Sequence, residues 1–364
     1  MSSGNLLAGR GARVPATEQV AAGDRPQRTR QGPVTLLEVA SAAGVSKSSA
    51  SRFLDERLPQ SDSETARRVR QVAAEMGYMR DISAASLRRG KTMTIGVVVP
   101  RLTDTVMAMF YEALARACRR SGQFVIVATS DDEPDGDHAA VEALLHRRVD
   151  GLVLSTARMG DDFFKELTAR GVPYVLALRT NGSSLASVGD DRLGGYLATR
   201  HLLDLGHRRI GLIAGPAYAS TARGRAEGYR QAMAEAGAEV DPAWVVESTF
   251  GIDSGAEAAQ ALMSLDPRPT AVFAVNDNTA IGALSAIQAL GLAIPEDVSL
   301  VGYNDIPLVS RLPTPLTSVR VPFDQIAATA LELLTSGPGG EHDRIRVAMP
   351  TLIPRRSTAA APAG

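Results

Sequence analysis

Two hydrophobic patterns divide the chain. From residue 93 to residue 358, short and nearly continuous apolar runs alternate with longer stretches whose apolar residues recur at helical spacing. This alternation predicts buried strands in parallel sheets that are covered by helices on both faces. The predicted strands are TIGVVV (94–99), FVIVAT (124–129), GLVLS (151–155), PYVLAL (173–178), RIGLIAG (209–215), TAVFAV (270–275) and VSLVGY (298–303). The predicted helices are 106–120, 138–147, 161–170, 193–205, 222–236, 255–264 and 279–290.

Seven core strands in this region exceed what one compact sheet holds, so we expect two lobes. In such folds, ligands bind beyond the carboxyl ends of the strands. The residues directly after each strand are therefore the candidates for a binding site.

In the segment before residue 93, apolar residues recur at helical spacing only. Thr35 and Glu38 have the spacing of a capping box, which predicts a helix start, and Gly44 is suited to end that helix. Ser46 is suited to cap a second helix that runs from Lys47 to about Leu54. The tight turn between the two helices is typical of a helix-turn-helix motif.

A third helix is predicted from Glu64 to about Met76, capped by Asp62 or Ser63 and closed by Gly77. In a helix-turn-helix domain the second helix lies in the DNA major groove, where serines and one arginine reach base edges and phosphates. This interpretation explains the four serines of GVSKSSASRFLD (44–55), although a small helical bundle with a polar face is an open alternative. The residues predicted to face DNA are Thr35, Leu36, Ser46, Lys47, Ser48, Ser49, Ser51 and Arg52.

Charge and composition favour a nucleic-acid partner. The whole chain has a net charge of −1, but residues 1–92 carry 15 basic and nine acidic residues, which leaves −7 for the remainder. A basic N-terminal segment followed by an acidic remainder suggests that the segment contacts a polyanion. The single cysteine, the lack of an apolar run of membrane length and the lack of a secretory signal predict a cytoplasmic protein. Residues 1–32 have no periodicity and are predicted to be a disordered tail.

The order of several motifs resembles the lactose-repressor (LacI/GalR-type) family of transcription regulators over residues 33–358. The motifs are PVTLLEVASAAGVSKSSASRFLD (33–55), RVDGLVLS (148–155), HLLDLGHRRIGLIAGP (201–216), RPTAVFAVND (268–277), DVSLVGYND (297–305), PLTSVRVP (315–322) and LIPRRST (352–358). The resemblance implies a dimeric repressor that binds a pseudo-palindromic operator and a small-molecule effector.

The resemblance also implies an α/β fold class with a defined order of parts. A disordered tail (1–32) is followed by a helix-turn-helix domain (33–81) and a hinge (82–92). A two-lobed body like the periplasmic sugar-binding proteins follows (93–358), and then a short tail (359–364). In the hinge, Ala84 and Leu87 match the family's A-x-x-L segment, whose leucine wedges into the minor groove of the operator.

The effector site is carried over from the family position by position. The resemblance implies that Arg225 holds polar groups of the ligand, that Asn276 contacts it, and that Phe250 and Phe323 form apolar walls. Asn304 stands where many members have an aspartate, so the neighbouring Asp305 is a possible substitute.

Two further positions depart from the family's usual pattern. RLTDTVMAMF (101–110) replaces an Asn-Pro-aromatic stretch and places Asp104 at the site. Arg158 occupies a position where members often have an acidic or polar residue. An arginine there either binds an anionic ligand or lies on a loop in contact with solvent.

The residues give no sign of an enzyme. The segment DDEPDGDHAAVE (131–142) approaches a calcium loop, but a strand precedes it and Pro134 stiffens it, so we expect no metal. No phosphate-binding loop, nucleophile beside a base or cofactor motif is present in the sequence. A sugar is the expected effector, with a nucleoside or phosphorylated ligand as the alternative. A solute-binding protein remains an alternative for the body alone. The sequence does not choose between an inducer and a corepressor.

Overall fold

The computed structural model describes residues 34–55, 59–79, 91–340 and 343–362. Its internal contacts divide the chain into two compact units, Met1–Asp81 and Ile82–Gly364. The predicted tail (1–32) and the hinge residues Ala84 and Leu87 lie outside the described residues. No helix in the described part of the chain is both long enough and apolar enough to cross a membrane.

The described part of the first unit contains three helices, as predicted. They are α1 (Leu36–Ala42), α2 (Lys47–Phe53) and α3 (Glu64–Glu75). The capping box at α1 is formed, because the Thr35 amide donates to Glu38 Oε2 at 2.8 Å and the Glu38 amide donates to Thr35 Oγ1 at 3.4 Å. Ser46 and Ser63 cap the other two helices. The buried core of this unit contains Val39, Ala40, Ala43, Ala50, Val69 and Ala73.

Across its described residues, the second unit contains two six-stranded sheets, each in its own lobe, which confirms the predicted α/β fold class. The lobe 1 strands are β1 (Thr94–Val99), β2 (Phe124–Thr129), β3 (Gly151–Leu154), β4 (Tyr174–Ala177), β5 (Ala186–Gly189) and β11 (Ile345–Ala348). Their order is β11-β5-β4-β3-β1-β2, and all of the pairs are parallel.

The lobe 2 strands are β6 (Ile210–Ala214), β7 (Val245–Glu247), β8 (Ala271–Ala274), β9 (Ser299–Asn304), β10 (Thr317–Arg320) and β12 (Thr351–Ile353). Their order is β12-β10-β9-β8-β6-β7, and only β12 runs antiparallel to its neighbour. The chain passes between the lobes after β5, after β10 and between β11 and β12.

Helices cover both sheets. Lobe 1 carries α4 (Thr105–Arg120), α5 (Pro134–His146), α6 (Phe163–Ala169) and α11 (Phe323–Ser336). Lobe 2 carries α7 (Asp191–Asp204), α8 (Ser220–Glu235), α9 (Ile252–Met263) and α10 (Asp277–Ala289). Two short 3-10 helices, Pro242–Trp244 and Pro307–Ser310, lie in lobe 2. All seven predicted strands and all seven predicted helices are present, but β5, β7, β10, β11, β12 and α11 were not predicted.

Helices α7 and α8 cross with their backbones in direct contact. A Cβ atom added to Gly228 would overlap the Arg192 carbonyl oxygen, and one added to Gly195 would overlap the Arg225 carbonyl oxygen. Because interiors are packed at crystal density, such a crossing accepts no side chain at these positions. The close approach fixes the position of α8, which carries Arg225.

The last residues of the chain form part of lobe 2, which corrects the predicted boundary at residue 358. The Ala359 amide donates to Ser299 Oγ at 3.0 Å, and the Ala361 amide donates to the Leu205 carbonyl at 2.8 Å. Buried His207 lies at this junction, with Nδ1 2.9 Å from Thr270 Oγ1.

We predict that His207 makes the body less stable in mild acid. Burial lowers the pKa of His207 in the folded protein, so the unfolded chain binds its proton more readily. This contribution to stability is complete above pH ~6.5 and is lost as the pH falls below that value. His207→Gln should therefore flatten the loss of unfolding free energy between pH 7.5 and 5.5, by at most about 1.4 kcal/mol per pH unit. Urea unfolding of both proteins at the two pH values measures this difference, and identical slopes would contradict it.

Candidate functional site

A cleft lies between the lobes, at the carboxyl ends of strands from both sheets. This is where parallel sheets bind ligands. Its lining contains six of the seven effector residues predicted from the sequence, the exception being Arg158. The lining residues are Asp104, Val106, Met107, Ser155, Leu178, Arg179, Gly189, Asp191, Thr221, Arg225, Phe250, Asn276, Asn304, Val321 and Phe323.

Arg225 is already engaged by the protein. Its Nε donates to Asp191 Oδ1 at 2.8 Å, its Nη1 donates to the Val275 carbonyl at 2.7 Å, and its guanidinium carbon lies 3.7 Å from the centre of the Tyr303 ring. The side chain is only 6% exposed. Arg225 therefore meets the cleft as one partner of a buried ion pair and not as a free cation.

Asp191 completes this pair and was not predicted as a site residue, because an aspartate at the start of a helix is ordinarily a cap. The cap is its neighbour Asp190, which accepts a hydrogen bond from the Leu193 amide. Burial raises the pKa of Asp191, while the charge and hydrogen bond of Arg225 oppose that rise. The carboxylate thus depends on Arg225 to remain ionised in the cleft wall.

Asn276 and Phe250 form one corner of the cleft. Asn276 caps α10 by accepting from the Thr279 amide at 2.8 Å, and its Nδ2 donates to the Phe250 carbonyl at 3.0 Å. Phe250 has a left-handed backbone with φ 67°, which is costly for an aromatic residue. The hydrogen bond from Asn276 helps hold that backbone, and the ring remains half-buried at the cleft.

Asn304 ends β9 with φ 103° and is 4% exposed. Within the described residues, its side-chain amide makes no hydrogen bond. The neighbouring Asp305 is fully engaged, because it accepts from Arg320 Nε at 2.8 Å and from Arg355 Nη2 at 2.6 Å. Asp305 does not line the cleft, so the suggestion that it substitutes for Asn304 is wrong for this arrangement.

Asp104 and Phe323 enter the cleft from lobe 1. Asp104 caps α4 through the Val106 amide at 3.0 Å and accepts from Asn278 Nδ2 of lobe 2 at 3.3 Å. Burial raises its pKa, and the hydrogen bonds partly offset this effect. Phe323 begins α11 and is 7% exposed. It therefore supplies an apolar wall that is fixed by helix packing.

Arg179 is a cleft residue that the sequence analysis missed. Its Nη1 and Nη2 donate to the two carboxylate oxygens of Asp132 at 2.8 and 3.1 Å. Burial acts to raise the pKa of Asp132, but the hydrogen bonds and charges of Arg179, Tyr218 and Arg158 together lower it. Both arginines of the lining are therefore neutralised by carboxylates of the protein itself.

Arg158 lies behind the cleft and not in its lining. Its guanidinium carbon is 4.0 Å from the centre of the Tyr218 ring, and its Nη2 donates to the Asp132 carbonyl. Arg158 is therefore packed against Tyr218 and does not stand free on a solvated loop, while its contact with an effector stays a prediction. Across the described ranges, no group of three or more potential ligand side chains could hold a metal ion.

The predicted DNA-facing residues divide by exposure. Lys47, Ser48 and Arg52 are exposed on α2, as are Thr35 and Ser46 at the helix starts. Ser49 and Ser51 are half-buried, and the Ser46 and Ser49 hydroxyls are 2.9 Å apart. Leu36 packs against the helical core. Thr35, Leu36, Ser46 and Ser49 therefore have structural contacts or caps in addition to any contact with DNA.

Comparisons with known proteins cover both units. Residues 35–81 match the family described as bacterial regulatory proteins, lacI family, and residues 199–358 match a periplasmic binding protein-like domain. The ribose operon repressor of Haemophilus influenzae (strain Rd) is 33% identical over 329 residues, which cover 89% of this chain and 98% of that protein. The HTH-type transcriptional repressor PurR of Haemophilus influenzae (strain PittEE) is 32% identical over 332 residues, with coverage of 89% and 98%.

A similar solved structure is that of the lac repressor dimer bound to operator and the anti-inducer ONPF. It has a TM-score of 0.80 and 26% sequence identity, and the match covers 90% of this chain and 100% of that one. The matches extend over the helical unit and both lobes of the body.

Proposed function

Because the chain belongs to the lacI family of bacterial regulatory proteins, we propose that its cleft binds a neutral polyhydroxylated effector, a sugar, which controls operator binding by a homodimer. The family assignment itself identifies a DNA-binding transcriptional repressor with a ligand-binding body, and not an enzyme. The effector class, the dimer of this chain, the pseudo-palindromic operator and the roles of individual residues belong to the proposal. So do the domain limits 33–81 for the DNA-binding part and 82–92 for the hinge.

The charge balance of the cleft carries the proposal. Arg225 and Arg179 are each paired with an aspartate at 2.8 Å, so no unpaired cation among the described lining residues awaits a phosphate or carboxylate. An anionic ligand would have to compete with carboxylates that are already desolvated and bonded. A neutral ligand meets no such competition, which favours a sugar over a phosphorylated metabolite.

The remaining groups suit hydroxyl recognition. Asn304 offers an amide that both donates and accepts, while the Asp104 and Asp191 carboxylates accept hydrogen bonds from hydroxyl groups. Phe250 and Phe323 provide apolar faces of the kind against which ligand rings pack. A neutral nucleoside satisfies the same groups and remains the second candidate.

The effector class is tested by measuring the thermal unfolding midpoint of the body with matched panels of neutral sugars, sugar phosphates and nucleosides. Ligand at 100 times its dissociation constant stabilises the folded state by about 2.7 kcal/mol. We expect a neutral sugar to raise the midpoint while its phosphate does not. Preferential stabilisation by phosphorylated ligands would overturn the argument from charge.

Asn304→Gly should weaken effector binding by about 0.5–1.5 kcal/mol, because it removes one uncommitted amide from the cleft. Glycine adopts φ 103° without strain, so the unfolding free energy should change little. Titration calorimetry measures the binding loss, and urea unfolding supplies the control. Unchanged affinity for a ligand that the wild type binds would remove Asn304 from the site.

Arg52→Ala should lower specific operator affinity by about 1–3 kcal/mol, because an exposed arginine on α2 can hold a guanine edge with two hydrogen bonds. Arg67→Ala and Arg68→Ala are matched controls, since both side chains are exposed on α3. These controls should weaken binding evenly across sequences and flatten its salt dependence. Fluorescence titrations with operator and scrambled DNA separate the two effects. Equal losses on both DNAs for all three variants would contradict the assignment of α2 as the reading helix.

A further inference from the structure

Tyr218 connects the two lobes outside the lining of the cleft. It lies in lobe 2, in the loop between β6 and α8, and its hydroxyl donates to Asp132 Oδ2 of lobe 1 at 2.9 Å. Two lobe 1 arginines contact the same ring, with the guanidinium carbon of Arg158 4.0 Å and that of Arg179 5.8 Å from its centre. One side chain of lobe 2 is thus held by three loops of lobe 1.

The lobe 1 side of this contact is held together by its own bonds. Asp132 has a left-handed backbone with φ 63° and binds Arg179 through both carboxylate oxygens. Arg158 donates to the carbonyl of the same aspartate. The loops after β2, β3 and β4 therefore form a preorganised acceptor for Tyr218, which lowers the entropy cost of the contact on the lobe 1 side.

We propose that Tyr218, Asp132, Arg158 and Arg179 form an interlobe clasp that favours the closed body in the absence of effector. A tyrosine ring in contact with guanidinium groups and a hydroxyl bonded to a carboxylate are both charge-assisted contacts. They exist only while the lobes are together, so they shift the closure equilibrium. Their combined effect is at least about tenfold in that equilibrium.

The clasp also includes a residue of the cleft lining, Arg179. The guanidinium carbon of Arg179 lies 5.6 Å from the centre of the Phe250 ring, and both residues line the cleft. The fraction of closed protein sets the apparent effector affinity, because binding to a partly populated state is weakened by that fraction. The clasp therefore sets the effector concentration at which the repressor responds, and this part of the inference rests on the proposed function.

Two amides report the closed state directly. The Met159 amide of lobe 1 donates to the Tyr218 carbonyl at 3.0 Å, and the Thr180 amide donates to Ser220 Oγ of lobe 2 at 2.9 Å. Both bonds cross between the lobes, so both amides exchange with solvent when the lobes separate. Hydrogen exchange of the full-length protein, followed by mass spectrometry without any ligand, measures this opening.

Tyr218→Ala should speed exchange at Met159 and Thr180 at least about tenfold, while exchange in the β3 and β8 core strands stays unchanged. Tyr218→Phe keeps the ring and loses the hydroxyl, so it should give an intermediate rate. Tyr196→Phe is the matched control, because Tyr196 also donates to a carboxylate, Glu235 Oε2 at 2.8 Å, but within lobe 2. This control should exchange like the wild type.

Unchanged exchange at both amides in Tyr218→Ala would overturn the clasp, as would rapid exchange at both amides in the wild-type protein.

A second measurement tests the link to the effector, with the ligand that stabilises the wild type in the thermal panel. Tyr218→Ala should raise its dissociation constant by the same factor that exchange reports. If the panel yields no ligand, the proposed function fails while the exchange result still decides on the clasp. An unchanged dissociation constant alongside faster exchange would overturn the inference that the clasp sets the effector affinity.

Discussion

Arg225→Ala is expected to abolish the effector response and also to destabilise the body by about 3–5 kcal/mol, the usual loss when one partner of a buried ion pair is removed. The substitution leaves the Asp191 carboxylate, 13% exposed, without the cation 2.8 Å away. It also removes a hydrogen bond to the Val275 carbonyl and a guanidinium that lies over Tyr303. Urea unfolding and effector titration of the same preparation measure the two effects. A simple ligand-contact role predicts lost binding with normal stability.

A double variant separates the two roles of Arg225. Asp191→Asn combined with Arg225→Gln removes both charges and keeps polar groups of similar size. It should recover most of the lost stability, because no buried charge remains unpaired. Effector binding should stay lost if Arg225 and Asp191 together form the ligand contact. Stability of the double variant as low as that of Arg225→Ala would show that the ion pair is not the source of the loss.

Gly228→Ala is expected to destabilise lobe 2 by several kcal/mol, at the upper end of the ~1–3 kcal/mol that is usual for overpacking. The reason is that the new Cβ would overlap the Arg192 carbonyl oxygen, and its distance to the Tyr196 amide nitrogen would be 2.5 Å. Both are backbone atoms of α7, which cannot rotate away as a side chain can. Helices α7 and α8 would have to separate, and Arg225 would move with α8. Thermal unfolding measures the loss.

Gly340→Ala is the matched control for this substitution. Gly340 has open space around its Cβ position and no left-handed backbone, so alanine there should leave the unfolding midpoint within a degree or two. A Gly228→Ala protein that unfolds at the wild-type temperature would mean that the α7–α8 crossing adjusts without cost. Weaker effector binding at full stability would instead indicate a displaced Arg225.

The sequence determined the parts of the fold that depend on local chemistry. Continuous apolar runs identified seven strands, since a strand that is covered on both faces excludes most polar side chains. Caps such as Thr35, Ser46 and Ser63 fixed the helix starts, because each pairs with an amide two or three residues further along. The family resemblance implied Asn276 and Asn304, and both follow buried strands, where parallel sheets bind ligands.

Two of the strands that were not predicted contain buried serines whose hydrogen bonds are made to other elements of the fold. In β5 (Ala186–Gly189), buried Ser187 donates to the Ile326 carbonyl of α11 at 2.9 Å. In β10 (Thr317–Arg320), buried Ser318 donates to Asp277 Oδ1 at 2.7 Å. A hydroxyl can enter a core only where such a partner exists, and the partner is visible only once the chain has folded.

The same reason limits what the sequence says about the site. The motif around Arg225 identified the residue, but Asp191, 34 positions earlier, decides that the guanidinium is neutralised. The pairing of Arg179 with Asp132 joins two loops 47 residues apart, and the stacking of Arg158 on Tyr218 joins two lobes. Sequence alone supplied the residue types and their places at strand ends. Only the tertiary structure decided which charges cancel, because cancellation depends on distances between segments that are remote along the chain.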